Sequence, residues 1–158
     1  MKSEDILGIP DEDLQFAVSS WMRGKIGDRW DNEFGVITSL PLPCQYVYAC
    51  RGAVDEYYNG GLTQYYYNST GKFAALAEAG FRAMGSELLA DIMAQANRIA
   101  DETTVILDAR SNGSLNSFIA LYNEGLFDKL DNAFRVEADD FDELCIDYIK
   151  ANAACFGD

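Results

Sequence analysis

A chain of 158 residues that is 49% hydrophobic, with nine Phe, nine Tyr and two Trp, can bury a core, which excludes a disordered acidic polymer. Its 26 acidic and 12 basic residues give a formal net charge of −14, which opposes binding to nucleic acid or an anionic membrane and favours a basic partner or simple solubility. There is no His, so Ser-His-Asp and Cys-His catalysis are excluded outright.

The first predicted helix runs from Pro10 to about Gly27. Asp11, Glu12 and Asp13 complement the dipole at its start. Leu14, Val18, Trp21, Met22 and Lys25 keep a three-to-four step, with Phe16 and Ile26 flanking the apolar side. Residues 28–40 read as a connection of limited regular structure. Pro41 and Pro43 lead into a second helix over about 43–58, with Val47, Tyr48, Cys50, Ala53, Val54 and Tyr57 at helical spacing. Gly60-Gly61 then turns the backbone and is expected to stop that helix. Asn68, Ser69 or Thr70 suits an N-cap for the segment after Gly71.

A helix over about 72–84 carries Phe73, Leu76, Ala77, Phe81 and Met84. Gly85-Ser86 breaks it and starts another to about Ala100, with Leu88, Leu89, Ile92, Met93, Ala96 and Ile99 on the inner face. The β-branched run Thr103 to Leu107 suits a short strand or extended linker. Arg110 to Ser114 reads as a loop. Helices over Leu115 to Tyr122, Leu126 to Phe134 and Asp139 to about Ala154 complete the chain. The sum is an all-α single domain, 1–158, of about seven or eight helices.

No secretory leader follows Met1, and nothing nears the roughly 20 apolar residues that cross a bilayer. A soluble, cytoplasmic protein is expected. Cys44, Cys50, Cys145 and Cys155 include no C-x-x-C pair, so buried free thiols are expected rather than a metal site. There is no G-x-G-x-x-G and no P-loop, so no nucleotide or other cofactor is expected.

Acid is unevenly placed. Residues 124–158 hold ten acidic and three basic residues, a net −7 and half of the total excess. On the final helix Phe141, Leu144, Cys145 and Tyr148 face the core, which turns Asp139, Asp142, Glu143 and Asp147 to solvent, with Asp140 near the edge. Helix neighbours three or four apart lie about 5–6 Å apart. DNA phosphates along one strand repeat at roughly 6–7 Å, given a 3.4 Å rise per strand. Helical carboxylates can therefore imitate a phosphate track. The same acids also match the dipole of the helix start, with Asp139 as N-cap and Asp142 or Glu143 as its reciprocal partner. The residues alone allow either role.

The segment from Glu56 to Gly71 carries the densest pattern. Glu56, Asn59, Gly60, Gly61, Gln64, Tyr65, Tyr66, Asn68, Ser69 and Gly71 fit E-x-x-N-G-G-F-x-Q-aromatic-aromatic-x-N-S-x-G, with Leu62 in place of Phe. In this the chain resembles the small acidic DNA-mimic protein family. The resemblance implies an all-helical domain, often a homodimer, with no catalytic role. Its acidic surface would occupy the DNA-binding face of a helix-turn-helix regulator and release the promoter, without touching nucleic acid itself. Glu124, Asp128, Asp131, Asp139, Asp142, Glu143 and Asp147 would carry that contact.

Two alternatives remain open. One is an immunity-type inhibitor of a basic toxin or nuclease. The other is a small-molecule binder or enzyme centred on Glu56, Asn59 and Gln64. A structural role for Glu56 and Gln64 is also expected, as partners of backbone groups freed by the Gly-Gly turn.

Overall fold

In the computed structural model, residues 2–103 and 114–157 are described. Eight α-helices and four short 3-10 segments lie among them, and no strand. The helices are α1 (Asp11–Ile26), α2 (Glu33–Thr38), α3 (Leu42–Tyr67), α4 (Ala74–Ala83), α5 (Glu87–Glu102), α6 (Leu115–Asn123), α7 (Asp128–Ala138) and α8 (Phe141–Ala151). The all-α expectation holds.

Helix α3 is the axis of the molecule: α1, α2, α4, α6, α7 and α8 all pack on it. Pro41 and Pro43 start it, because the first helical turn needs no donor that proline lacks. Small residues let α4 come close. A Cβ placed on Gly80 would lie 2.6 Å from Cys50 Sγ and 3.3 Å from the Tyr46 Cα. Around this contact runs a chain of rings, Tyr57 to Phe134, Phe134 to Phe81 and Phe81 to Phe141, with centroids 4.7, 6.0 and 5.8 Å apart. These rings join α3, α4, α7 and α8 into one core.

Gly60-Gly61 breaks the helical run within α3, as expected: both glycines leave helical φ/ψ. The helix kinks there and continues through Leu62 to Tyr67, with Gly61 at φ +74°. The second half is mostly buried, and Tyr66 stacks on Phe127 at 5.1 Å. Asn68 does not cap the next segment with its side chain; a 3-10 turn over Ser69–Phe73 leads into α4. Ser86 does cap α5, accepting from the Leu89 N–H at 3.3 Å.

Other departures have local causes. Residues 28–40 are more regular than expected, with a 3-10 turn at Trp30–Asn32 followed by α2. Phe16, expected to flank the apolar side, and Leu88, expected on the inner face, are 78% and 59% exposed. In α1 the buried stripe is Leu14, Val18, Met22 and Ile26, a step of four that leaves Phe16 on the outside. The strand or linker expected over Thr103 to Leu107 lies, after Thr103, outside the described residues, as does most of the loop before Ser114.

Gly61→Ala is expected to destabilise the fold by about 1–3 kcal/mol, since a non-glycine residue is strained at that φ. Its Cβ would also meet the Asp131 carboxylate at 2.9 Å. Gly52→Ala in the same helix meets only Thr70 Cγ2, at 3.7 Å. It should be neutral or gain up to about 1 kcal/mol. Urea denaturation of the two variants checks the contrast, and equal midpoints would show that the kink does not depend on glycine.

Candidate functional site

The kink exposes backbone groups that need partners, and it finds one far away in sequence. The Leu62 N–H donates to Asp131 Oδ1 at 2.8 Å, and the Tyr57 hydroxyl donates to the Asp131 carbonyl, also at 2.8 Å. Asp131 therefore reaches inward from α7 and holds the kink. Burial, and secondarily the like charge of Asp128, raises its pKa, while the Leu62 bond acts the other way.

Glu56 and Gln64 do not take the freed backbone groups as expected. They bond to each other across the kink. Glu56 Oε2 accepts from Gln64 Nε2 and from Asn68 Nδ2, both at 2.8 Å, and Thr70 Oγ1 approaches Oε1 at 3.4 Å. Tyr65 and Tyr66 are buried, and the Tyr66 hydroxyl donates to Asn97 on α5 at 2.5 Å. The Glu56-to-Gly71 pattern thus serves mainly to fold the chain.

A cleft of about 260 Å³ opens between α1, the Trp30–Glu33 turn and α3. Glu56 and Asn59 line it; Gln64 does not. Glu33, only 7% exposed, accepts from the Tyr48 hydroxyl at 2.5 Å and lies 3.7 Å from Lys72 Nζ. Arg51 is held by Asp55 at 2.7 Å and by Asp142 at 2.8 Å. Arg23 and Trp30 also line the cleft. Sequence reasoning misses Arg23, Trp30, Glu33, Tyr48 and Arg51 as cleft residues. Only the Arg51–Asp55 pair, four residues apart on a helix, has a local signal.

The predicted acidic positions have different surroundings. Asp131 is half-buried and internally bonded. Asp142 turns to Arg51 and to Gln15 Nε2, 3.1 Å away, rather than closing a cap. Asp139 does not cap α8: Asp140 is the residue before that helix, its side chain makes no cap bond, and Asp139 lies 3.5 Å from the Tyr58 hydroxyl. Glu124, Asp128, Glu143 and Asp147 are exposed and join no ion pair among the described residues. On α7 the exposed positions also include Lys129 and Arg135, so that helix presents mixed charge.

Among the described residues no cluster of three His, Cys, Asp or Glu side chains is placed to hold a metal ion. No described helix is long and apolar enough to cross a membrane. All four cysteines are free. Burial pushes the Cys44 and Cys145 thiols up to about 12, which keeps them protonated and unreactive.

The model of the DMP19-like protein family matches residues 38–152, from the last residue of α2 to just past the end of α8. The chain belongs to the DMP19-like protein family. This corrects the assignment to the small acidic DNA-mimic family, because the match is to a different family and does not show the hallmark. The physical reason lies in the kink. A short pattern made of turn and turn-locking residues specifies a backbone bend, whereas the family match spans α3 to α8. No curated protein and no solved structure matches the chain.

The raised Asp131 pKa has a signed consequence. The folded form holds that proton at a pH where the unfolded chain has released it. The stabilisation is therefore complete below the unfolded pKa and is lost as pH rises through the folded one. Asn keeps an acceptor for the Leu62 N–H but does not titrate. Asp131→Asn should therefore gain stability relative to wild type as pH rises from about 3 to 6. The difference in urea midpoint at several pH values measures this, and a difference independent of pH would contradict it.

Proposed function

We propose that this protein is a non-enzymatic docking protein whose α8 face binds a basic DNA-binding protein in competition with DNA. The supporting observation is the row Asp140, Glu143 and Asp147. These residues are exposed, sit at i, i+3 and i+7, and join no ion pair among the described residues. At about 5–6 Å between neighbours, such a row approaches the spacing of phosphates along a strand.

The surroundings add to it. Helix α1 lies beside α8, tied by Lys150 to Asp11 at 2.5 Å and by Gln15 to Asp142. Its first turn adds Glu12 and Asp13, both exposed and outside any ion pair among the described residues. A helix-turn-helix regulator suits such a face, since its surface carries donors and cations set to grip phosphates. One chain suffices for the row, and the homodimer implied by the resemblance is not required. A DNA-binding partner implies a compartment shared with DNA, here the cytoplasm.

Glu143→Lys combined with Asp147→Lys should abolish capture of a basic protein from lysate at low salt, with the helical circular dichroism unchanged. Asp142 is kept in this variant, because reversing it would break the Arg51 pair. Wild-type binding should weaken as ionic strength rises past about 0.1 M, where the screening length falls to ~10 Å. The captured protein should bind duplex DNA and lose it when this protein is added. Affinity unchanged by the double reversal would rule out α8. Recovery of a nuclease would redirect the reading to toxin neutralisation.

A further inference from the structure

The cleft between α1 and α3 is separate from the α8 row, and its charges are not all used. Its lining mixes three carboxylates, Glu33, Asp55 and Glu56, with two guanidinium groups, Arg23 and Arg51. Arg51 is occupied by Asp55 and Asp142, and Glu33 by the Tyr48 hydroxyl and Lys72.

Two opposite charges in the lining lie outside any ion pair among the described residues. Glu56 is part-buried, its bonding partners are neutral amides and a hydroxyl, and it joins no ion pair among the described residues. Arg23, reaching the cleft from the other helix, makes no hydrogen bond or ion pair among the described residues. Asn59, next to Glu56 along the lining, is exposed, and its amide likewise bonds to nothing among the described residues. Trp30, 53% exposed, gives the same cleft an aromatic wall.

A purely anionic ligand would meet three carboxylates there, and a purely cationic one two guanidinium groups. A dipolar ion meets each charge with its opposite. The volume, about 260 Å³, falls just under the roughly 300–1,000 Å³ of drug-sized sites, so the occupant is small. We propose that this cleft binds a small zwitterion of the α-amino-acid type, its carboxylate on Arg23, its ammonium toward Glu56 and Asn59, and its side chain against Trp30. The amide oxygen of Asn59 accepts from the ammonium, and the guanidinium fork of Arg23 donates to the carboxylate.

The test uses the full chain and the twenty free L-amino acids, one at a time, by calorimetry and by fluorescence in a Trp21→Phe background that leaves Trp30 as the reporter. At least one amino acid should bind saturably and shift the Trp30 emission. Its C-terminal amide and its deaminated acid should each bind about tenfold more weakly or worse, about the worth of one charge-assisted hydrogen bond. Arg23→Ala should weaken binding by a similar factor and Asn59→Ala by less. Both side chains are free of internal bonds among the described residues, so neither change should unfold the chain. No saturable signal up to about 10 mM, beyond the millimolar range of weak ligands, would overturn the proposal. So would binding that ignores the loss of either charged end, or that survives Arg23→Ala unchanged. The Glu143 and Asp147 reversals should leave amino-acid binding intact, so either functional reading can fail without the other.

Discussion

The bend at Gly60-Gly61 is the constraint on which the rest of the structure depends. A straight helix from Leu42 to Tyr67 could not place Cys44 to Val54 against α4 and also bury Tyr65 and Tyr66 beside Phe127. The bend allows both, at the cost of an interrupted hydrogen-bond ladder. A buried N–H without an acceptor costs about 1–3 kcal/mol, so the break has to be closed. Asp131 closes it at Leu62, and the Glu56–Gln64–Asn68 cluster ties the two arms together. Asp131 is thereby withdrawn from the protein surface into the frame, and Glu56 is bonded into it while still lining the cleft.

That withdrawal explains which parts of the fold are legible in the sequence. Helices such as α1, α5 and α8 announce themselves by a step of three to four, because a helix buries one stripe and periodicity records it. The step is coarser than the stripe, which is how it puts Leu88 on the inner face and Phe16 at the flank of the apolar side. The destination of a polar side chain is harder to read. Asp131 meets its partner across 69 positions and Asp142 meets Arg51 across 91, and no local pattern carries such information. Glu56 and Gln64, eight residues apart, are near enough for a shared structural role to be inferred, though with the wrong partners.

The charge shows the same division between composition and arrangement. A net −14 describes an excess, not a face. Several cations are used internally: Arg51 on Asp55 and Asp142, Arg82 on Glu87 and Asp91, Lys150 on Asp11, Lys72 on Glu33. Lys129 and Arg135 dilute α7. The surface left without cations is narrower than the ten acids of the last 35 residues suggest, and on α8 it is a single row. Matching a partner through such a row depends on the scaffold holding the side chains in place, since exposed charges that must first be ordered gain little by pairing.

Arg51 connects the two surfaces to which functions are proposed. Its guanidinium reaches Asp142 on α8 while bordering the cleft, and Asp55 shares it. Its side chain is one-third exposed and that of Asp142 about two-thirds, so water screens the pair. A pair of this kind is worth up to about 1 kcal/mol. An occupant of the cleft that drew Arg51 away from Asp142 would alter α8 by no more than that, which corresponds to about fivefold in affinity. It would also free one more carboxylate beside Glu143 and so strengthen the row. A link made by drawing Arg51 away from Asp142 therefore has one sign. Loss of the Arg51–Asp142 pair makes α8 more negative, and an acidic docking face and a filled cleft would reinforce each other.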